Sequence, residues 1–600
     1  MTSGEHKAGI KDETVKYDLV VIGGGMAGVC AAIAAARHGC KTALLQDRPV
    51  LGGNSSSEIR MHVCGADYIY DGQARRETGI LEELRLENLV RNPQRSPSLW
   101  DLLLYEWVKR EPNLDLYLNT VALEPVMEGA DIIRAVRARQ MAAEREWTFT
   151  AKFFADCSGD GQIGAQAGAD FRMGREAGSE FNEPLAGSSA DAHTLGNSIM
   201  FMARDMGKPM PFVKPEWAYT YSTDEALFNR DHRHYRLGYW WIEWGGQLDT
   251  IRDNERIRDE LMKIALGVWD HIKNHGDHGA QNWALEWIGT VPGKRESRRF
   301  SGDHVLSQGD LESGRIFEDE VAYGGWPIDV HPIEGFYAKE EPCRQTKVPL
   351  YSIPLRSLYS RNIKNLFFAG RNMSATHIAF ASTRIMATCA LTGQAIGTAA
   401  AVCREKNLAP REAAGKNISD IQQKLLADDC FLPGRRNEDK NDLALQAQIT
   451  AGSERKGKEA RKISDGAARP IKDDEHCWES RSLSENDNWL ELRWKTPMTI
   501  GRIQLTFDSE LEKRLIFTQE DYIYEQSTNL LVKLPERLVR DFEIQALENG
   551  RWRTVRAVKN NIRRARRECF QPALKTAALR VICQATYGHE TARIFEVRVY

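Results

Sequence analysis

The sequence predicts an α/β chain built on a parallel sheet, interrupted by an inserted α+β segment and closed by an all-β sandwich. Three observations carry this prediction. A short apolar run bounded by glycines opens the globular part, as a buried parallel strand does. Eight of the fifteen tryptophans crowd between Trp217 and Trp326, which gives the middle of the chain a texture of its own. From about residue 442 onward, alternating strand-like runs and turn residues dominate.

Bulk properties narrow the reading. Six hundred residues exceed one ordinary core and suggest roughly four structural units. Apolar residues at 42% and charged residues at 28% exclude a disordered or fibrous chain. Lys plus Arg total 81 against 84 Asp plus Glu, a net charge of −3. That balance provides no electrostatic case for nucleic acid or an anionic membrane surface as partner. No uninterrupted apolar run reaches the length of a membrane span, and residues 1–16 lack the apolar core of a signal peptide. The eleven cysteines show no CxxC spacing and read as ordinary thiols, so a cytoplasmic location is expected.

The first element is the strand Tyr17–Ile22, followed by Gly23, Gly25 and Gly28 in GxGxxG spacing. An alanine-rich helix, Met26 to His38, and a second strand, Lys41–Leu45, complete a βαβ unit. In this Rossmann-like arrangement Gly23 permits the tight turn, Gly25 lets the backbone approach a pyrophosphate, and Gly28 allows helix to pack on strand. The phosphate sits at the helix N-terminus, among unpaired N–H groups. The second strand of such a unit normally ends in an acidic residue that holds the ribose. Here the position is Gln46, followed by Asp47, and either can hold a ribose hydroxyl. Gly53, Asn54, Ser55 and Ser56 then concentrate small and hydroxyl side chains suited to passing beside phosphates and a flavin.

Further strands are expected at Leu114–Asn119, Ile132–Arg139 and Trp147–Ala155. An amphipathic helix from Arg252 to Asn274 places Ile257, Leu261, Ile264 and Val268 near one face. Asn365–Ala369 reads as a strand leading through Gly370 into a small-residue helix from Thr383 to Cys403.

Two later segments carry a resemblance. Ala155-Asp-Cys-Ser-Gly-Asp-Gly161 resembles the motif that follows a third-layer strand in flavoproteins. Leu366-Phe-Phe-Ala-Gly-Arg371, with Gly393 to Gly397 behind it, resembles the late flavoprotein segment. Together the four motifs, over about residues 17–403, resemble the FAD-dependent oxidoreductase family related to the fumarate reductase and succinate dehydrogenase flavoproteins. The resemblance implies FAD as cofactor, with Val121, Ser158, Gly159, Asp160, Gly370, Arg371 and Gly393 joining the residues named above in holding it. Relatives with covalent flavin carry a histidine close behind the segment that here reads Gly53-Asn-Ser-Ser, so non-covalent FAD is expected. Apart from Gly159, Gly161 and Gly164, which overlap the flavoprotein-like motif just quoted, a second GxGxxG is lacking, which leaves the electron acceptor external and unassigned. Gly52–His62 and Ala369–His377 are particularly like a branch whose members often accompany carbohydrate-degrading enzymes.

His377 lies between the late strand and its helix. A neutral imidazole there could remove a hydroxyl proton while hydride leaves for the flavin, or it could simply hydrogen-bond the flavin or the turn. His62 is the second candidate base, with a role in tying down its loop as the alternative. Arg298, in Lys294-Arg-Glu-Ser-Arg-Arg299, offers a planar fork of donors for a carboxylate or sugar hydroxyls, and the resemblance suggests that this motif turns back toward the flavin. Arg60 and Arg371 could balance anionic charge or pair with a carboxylate. His271, His275 and His278 share a helix end, but no cysteine or carboxylate constellation completes a site, so no metal is expected. The tryptophans divide between core and flat platforms for sugar rings, with Glu243 and Gln247 as polar neighbours. Cys157 reads as a packed thiol, because no adjacent cation lowers its pKa.

Ile449–Glu454, Ser464-Asp-Gly466, Trp478, Trp489-Leu490 and Phe595–Tyr600 resemble a discoidin-type, galactose-binding-like β-sandwich. Such modules often bind glycans; the domain could instead pack on the catalytic body or build a homo-oligomer. Arg563, Arg564, Arg566 and Arg567 read as a solvated strand end. The organisation expected is a discontinuous FAD-binding domain (15–180 and 346–410), a Trp-rich substrate domain (181–345), a helical linker (411–441) and the sandwich (442–600). The function expected is FAD-dependent oxidation of a hydroxyl of a carbohydrate or sugar derivative. One alternative is a reductase of an activated double bond in an anionic substrate, using Arg298 and Arg384. Another is a glycan-binding protein with a structural flavin.

Overall fold

Burial explains the central strand. In a computed structural model describing residues 11–141, 143–228, 230–485, 487–518 and 529–600, Leu19, Val20 and Val21 are almost wholly inaccessible. The first ten residues of the polar N-terminal segment lie outside the described residues. Two compact units result, one within Met1–Cys64, Arg95–Ile418 and Phe517–Ser527, the other within Gly65–Gln94, Ser419–Ile516 and Thr528–Tyr600.

The first unit is built on a seven-stranded mixed sheet. Lys11–Ile22 runs parallel to Thr42–Leu45 on one side and to Arg145–Asp156 on the other. Leu114–Tyr117 extends the parallel part, whereas Ile132–Gln140 and Thr120–Glu128 add antiparallel strands. Leu366–Phe368 pairs in parallel with the end of Arg145–Asp156. A parallel strand covered on both faces reads as a continuous apolar run, which is how Tyr17–Ile22 shows itself. Lys11–Lys16 continue the same strand against Arg145–Thr150, but Asp12–Lys16 alternate exposed and half-buried positions, polar except for Val15, and so resemble a tail in sequence.

Helix Met26–Arg37 packs along helix Met386–Lys406, and small residues set their closeness. A Cβ on Gly393 would stand 2.0 Å from the Ala27 carbonyl oxygen, and one on Gly397 would stand 2.2 Å from that of Ala31. The expected single helix from Thr383 is two, His377–Thr383 and Met386–Lys406, because Ile385 between them is extended. Met386–Lys406 is long and apolar enough by composition to cross a membrane, with a mean hydropathy of 1.3, although no uninterrupted apolar run marks it in the sequence. Its Thr, Gly and Gln residues break such a run without making the helix polar, and 94% of the apolar window is buried in this fold.

Helix Asn254–Asn274 buries Ile257, Leu261, Ile264 and Val268, as its periodicity predicts. Trp241 and Trp269 join them in one apolar cluster, Trp240, Trp244 and Trp283 pack against it half-buried, and Trp217 is exposed.

The second unit is an all-antiparallel β-sandwich whose seven strands surround a core that includes Trp478, Leu490, Phe507, Phe542 and Val581. The runs Trp489–Trp494 and Ile500–Phe507 are parts of one 19-residue strand, Trp489–Phe507. Its partner, Ala565–Thr586, has 22 residues, and the ladder between them shifts register twice. Residues 65–94, which the sequence places among the dinucleotide-binding segments, cluster with this unit. Arg76 explains how: wholly buried, it pairs with Glu82 at 2.7 Å and donates to the carbonyls of Ser509 and Glu510 at 2.6 and 2.8 Å. The arginine run at 563–567 is solvated only at its far end, where Arg567 is exposed; Arg563 and Arg564 turn inward. Arg563 pairs with Glu87 at 2.7 Å, and the buried Arg564 pairs with Asp429 at 3.0 Å, so each guanidinium is matched by a carboxylate the fold brings from elsewhere.

Candidate active site

Register brings the four glycine-bearing motifs together. Ile22 is level with Leu45 and with Asp156, and Asp156 with Phe368, so every loop that follows these strands leaves the same carboxyl edge of the sheet. In open α/β sheets that edge is where ligands bind.

The glycine turn divides its labour. Gly23 adopts φ +100° and a Cβ there would meet the Cys157 carbonyl oxygen at 2.6 Å, while a Cβ on Gly28 would stand 1.8 Å from the Gly23 oxygen. Gly25 is extended, at φ −69°, and a Cβ on it would find only Gly53 Cα at 4.0 Å. The backbone there faces open space beside Gly52 and Gly53, at the start of a helix that no side chain caps. Uncapped N–H groups, a positive dipole end and no Cβ in the way fit a pyrophosphate. Ser56 adds a buried hydroxyl with no partner among the described residues. The chain's residues therefore fit the dinucleotide end of FAD.

Neighbouring side chains are partly committed. Gln46 is buried, accepts from Gly24 N–H at 2.7 Å and donates to the Val50 carbonyl at 3.2 Å, whereas Asp47 is 62% exposed beside Arg48. Thr120, just before the half-buried Val121, donates its N–H to the Gln46 carbonyl at 2.8 Å. Ser55 accepts from Trp100 Nε1 at 3.1 Å, and Asn54 donates to the Lys294 carbonyl at 3.0 Å.

Asp160 is the hub of the third motif. It receives Lys294 Nζ at 2.6 Å, Ser297 Oγ at 2.9 Å and Arg371 at 3.1 Å. Burial pushes its carboxyl up, but Arg371 and Lys294 outweigh that and hold it down at about 2. Gly159, at φ +81°, makes room for the Arg371 guanidinium, which lies 2.6 Å from where a Cβ would stand. Ser158 Oγ bonds Asp156 at 2.6 Å, and Gly370 turns the chain at φ +94°. Arg298 donates to the Asp160 carbonyl at 3.1 Å and lies over Phe171. Gly393 lies on the face of its helix that packs against Ala27.

His377 opens its short helix behind the capping hydroxyl of Thr376. Its Nδ1 lies 2.9 Å from Glu296 Oε2, and its backbone N–H donates to Glu176 at 2.8 Å. Glu296 is fully buried; burial pushes its carboxyl up, but His377 and Arg299 hold it below the ordinary value. An ionised carboxylate on Nδ1 fixes the imidazole tautomer that leaves a lone pair on Nε2. Sequence reasoning quoted Glu296 within its motif without giving it a role.

Beside this pair, Glu243 is buried rather than facing a ligand. It meets His331 Nδ1 at 2.6 Å and Arg295 at 3.3 Å. Arg384 pairs with Asp329 at 3.0 Å, and burial pushing the Asp329 carboxyl up is outweighed by His331 and Arg384, which depress it. Arg60 stacks on Trp287, 3.9 Å from the ring centroid, and His62 follows it half-buried. Burial pushes the Cys157 thiol up, as suits a packed thiol. His271 and His278 come together with His232 and Asp224, while His275 turns to Asp270 at 3.2 Å.

Comparison with known proteins decides the family. The family model described as FAD dependent oxidoreductase matches residues 18–425. The chain belongs to that family. It is an FAD-dependent oxidoreductase, and residues 442–515 match a domain of unknown function, DUF7402. Among curated proteins, the tRNA uridine 5-carboxymethylaminomethyl modification enzyme MnmG of Rhodopirellula baltica is 33% identical over 135 residues, 19% of this chain. The match spans 20% of that relative's length. A geranylgeranyl bacteriochlorophyll reductase-like protein of Thermoplasma acidophilum is 13% identical, with 70% of this chain and 85% of that chain covered and a TM-score of 0.33. The family 32 carbohydrate-binding module of Clostridium perfringens NanJ, in complex with galactose, is 16% identical over 26% of this chain and 94% of its own, with a TM-score of 0.19.

Proposed function

We propose that this oxidoreductase oxidises a hydroxyl group of a carbohydrate or sugar derivative, with His377 as the base that takes the hydroxyl proton. The observation that carries the reading is the buried Glu296–His377 contact at 2.9 Å. Bound FAD supplies the hydride acceptor. Glu296 holds Nδ1–H, keeps the Nε2 lone pair available, and offsets the positive charge that His377 acquires on taking a proton at Nε2. Gly25, Gly53 and Ser56 receive the pyrophosphate, Asp47 the ribose, and Arg371, anchored by Asp160, the cofactor's remaining negative charge. With Ser55 to Ser57 where relatives carry an attaching histidine, the cofactor is held without a covalent bond.

A polyhydroxylated substrate is supported by the half-buried indoles of Trp240 and Trp287 together with the charged groups beside them. Trp240 accepts from Arg295 through its carbonyl at 2.8 Å, which ties it to the residue next to Glu296. Of the two cations the reductase alternative would use, Arg384 is paired with Asp329 and Arg298 donates to the Asp160 carbonyl. Anaerobic mixing of the FAD-loaded protein with a panel of sugars and glycosides tests the proposal. Bleaching of the flavin band by one of them, lost in His377→Gln at unchanged FAD content, is the expected result. A flavin that no hydroxylated substrate bleaches overturns it.

A further inference from the structure

Four side chains of the first unit converge at a place the oxidoreductase chemistry does not use. Asp224 opens a short 3-10 turn, His232 lies in the loop beyond it, His271 is in the last turn of helix Asn254–Asn274, and His278 follows that helix. One potential ligand atom of each lies within 4.8 Å of all the others. The rings crowd together, with centroid separations of 5.1 Å for His232 to His271 and 4.8 Å for His278 to each of them.

The hydrogen bonds around the rings leave lone pairs available to a metal. His271 Nδ1 is 2.8 Å from the Tyr221 carbonyl oxygen, and His232 Nδ1 is 2.8 Å from that of Arg230. A carbonyl accepts only, so each Nδ1 carries the proton and each Nε2 a lone pair. Those two Nε2 atoms face the same carboxylate oxygen, Asp224 Oδ1, at 3.1 and 3.6 Å. His278 Nε2 is 3.0 Å from the His275 carbonyl oxygen, which places its proton on Nε2 and a lone pair on Nδ1. Carbonyl anchoring of the non-ligating nitrogen is the usual support of a metal-bound histidine. In a tetrahedral zinc site with ligand bonds of about 2.0–2.1 Å, adjacent ligand atoms stand about 3.3 Å apart, which the two measured separations bracket.

We infer that Asp224, His232, His271 and His278 bind one divalent transition-metal ion of the zinc type. Three imidazole nitrogens and one carboxylate oxygen suit zinc, cobalt, nickel or copper rather than magnesium or calcium. The other charged groups of the cavity, of about 580 Å³, are committed elsewhere or stand at its rim. Arg233 pairs with Asp231 at 2.7 Å, Arg230 donates to the carbonyls of Ala338 and Glu340 at 2.7 and 2.6 Å, and Asp277 lies near Gly279 N–H. Four protein ligands make a closed, structural site, one that staples Asp224 and His232 to the end of the helix and the turn behind it. The sequence shows His271 and His278; Asp224 and His232 are about 40 residues away and join them only in the fold.

The test uses the full-length, FAD-loaded protein, stripped with a chelator and titrated with Zn²⁺ or Co²⁺. The expected result is uptake of about one equivalent, with Co²⁺ showing tetrahedral ligand-field absorption to the red of the flavin bands. Asp224→Ala and His278→Ala, both at partly exposed positions, should retain FAD yet bind the metal at least about 100-fold more weakly. His275→Ala should bind like the parent protein, because His275 faces Asp270. Failure of the parent protein to take up a stoichiometric ion overturns the inference, as does undiminished binding by the Asp224 and His278 variants. Should either variant lose FAD, His232→Gln provides the same comparison.

Discussion

Glu296 and His377 are 81 residues apart in the chain and 2.9 Å apart in the fold, both buried. The consequence is a dissociation of binding from rate. Glu296→Gln keeps the side chain's shape but removes its charge. Its rate of flavin reduction should fall about 10- to 100-fold, and that of His377→Ala about 10²- to 10⁴-fold. KM and FAD content should stay near the parent values in Glu296→Gln. Stopped-flow reduction together with the protein's flavin-to-protein absorbance ratio checks both.

The glycine turn separates fold from cofactor. Gly25 has an ordinary extended φ and open space where a Cβ would stand, so Gly25→Ala should fold with unchanged secondary structure. Any methyl there meets the ligand instead, and FAD affinity should drop about tenfold or more, by roughly 1.4 kcal/mol. Gly28→Ala drives a methyl against the Gly23 oxygen at 1.8 Å and should destabilise the unit itself by about 3 kcal/mol. Fluorescence titration with FAD and thermal unfolding of the FAD-free proteins separate the two effects.

Asp160 predicts an acid dependence. Its carboxyl titrates at about 2, below the 3.8 of an unperturbed aspartate. The group therefore stabilises the fold fully above about pH 4, and this contribution fades as pH falls toward 2. Asp160→Asn should lower stability at pH 7 by on the order of 2 kcal/mol and lose its disadvantage in that acid window. Urea unfolding of both proteins at pH 7 and pH 3 measures the difference.

Asp101 predicts the opposite slope. Burial pushes its carboxyl up to about 6, although it accepts the Ser57 N–H. The folded state then holds a proton that the unfolded chain releases near 3.8. Stability should decline as pH rises from about 4 to 6 and level off above that. Asp101→Asn keeps an acceptor for Ser57 and should flatten that decline, which a series of thermal unfolding curves between pH 4 and 7 reads directly.

In the second unit, Arg76→Ala strands the buried Glu82 carboxylate and frees three carbonyl oxygens. A loss of about 3–5 kcal/mol is expected, seen as early loosening of residues 65–94 in hydrogen exchange. Arg76→Lys should rescue little, because one ammonium cannot reproduce the fork of donors.

Contiguous chemistry was legible without a structure. The strand at Tyr17–Ile22, the glycine turn, the helix behind it and the later glycine motifs announce FAD because a dinucleotide is held largely by local backbone, and local backbone is written in consecutive residues. Alternation likewise announced the antiparallel sandwich. Polar ends of strands, such as Asp12–Lys16, stayed hidden, since half-exposed residues carry no apolar signal. What only tertiary structure decided are the meetings of distant side chains: Asp160 with Lys294 and Arg371, Glu296 with His377, Asp224 and His232 with two histidines of another segment, and residues 65–94 with the second unit. Each depends on strand register and helix packing that sum over the whole chain, so no window of sequence contains the partner that determines what the residue does.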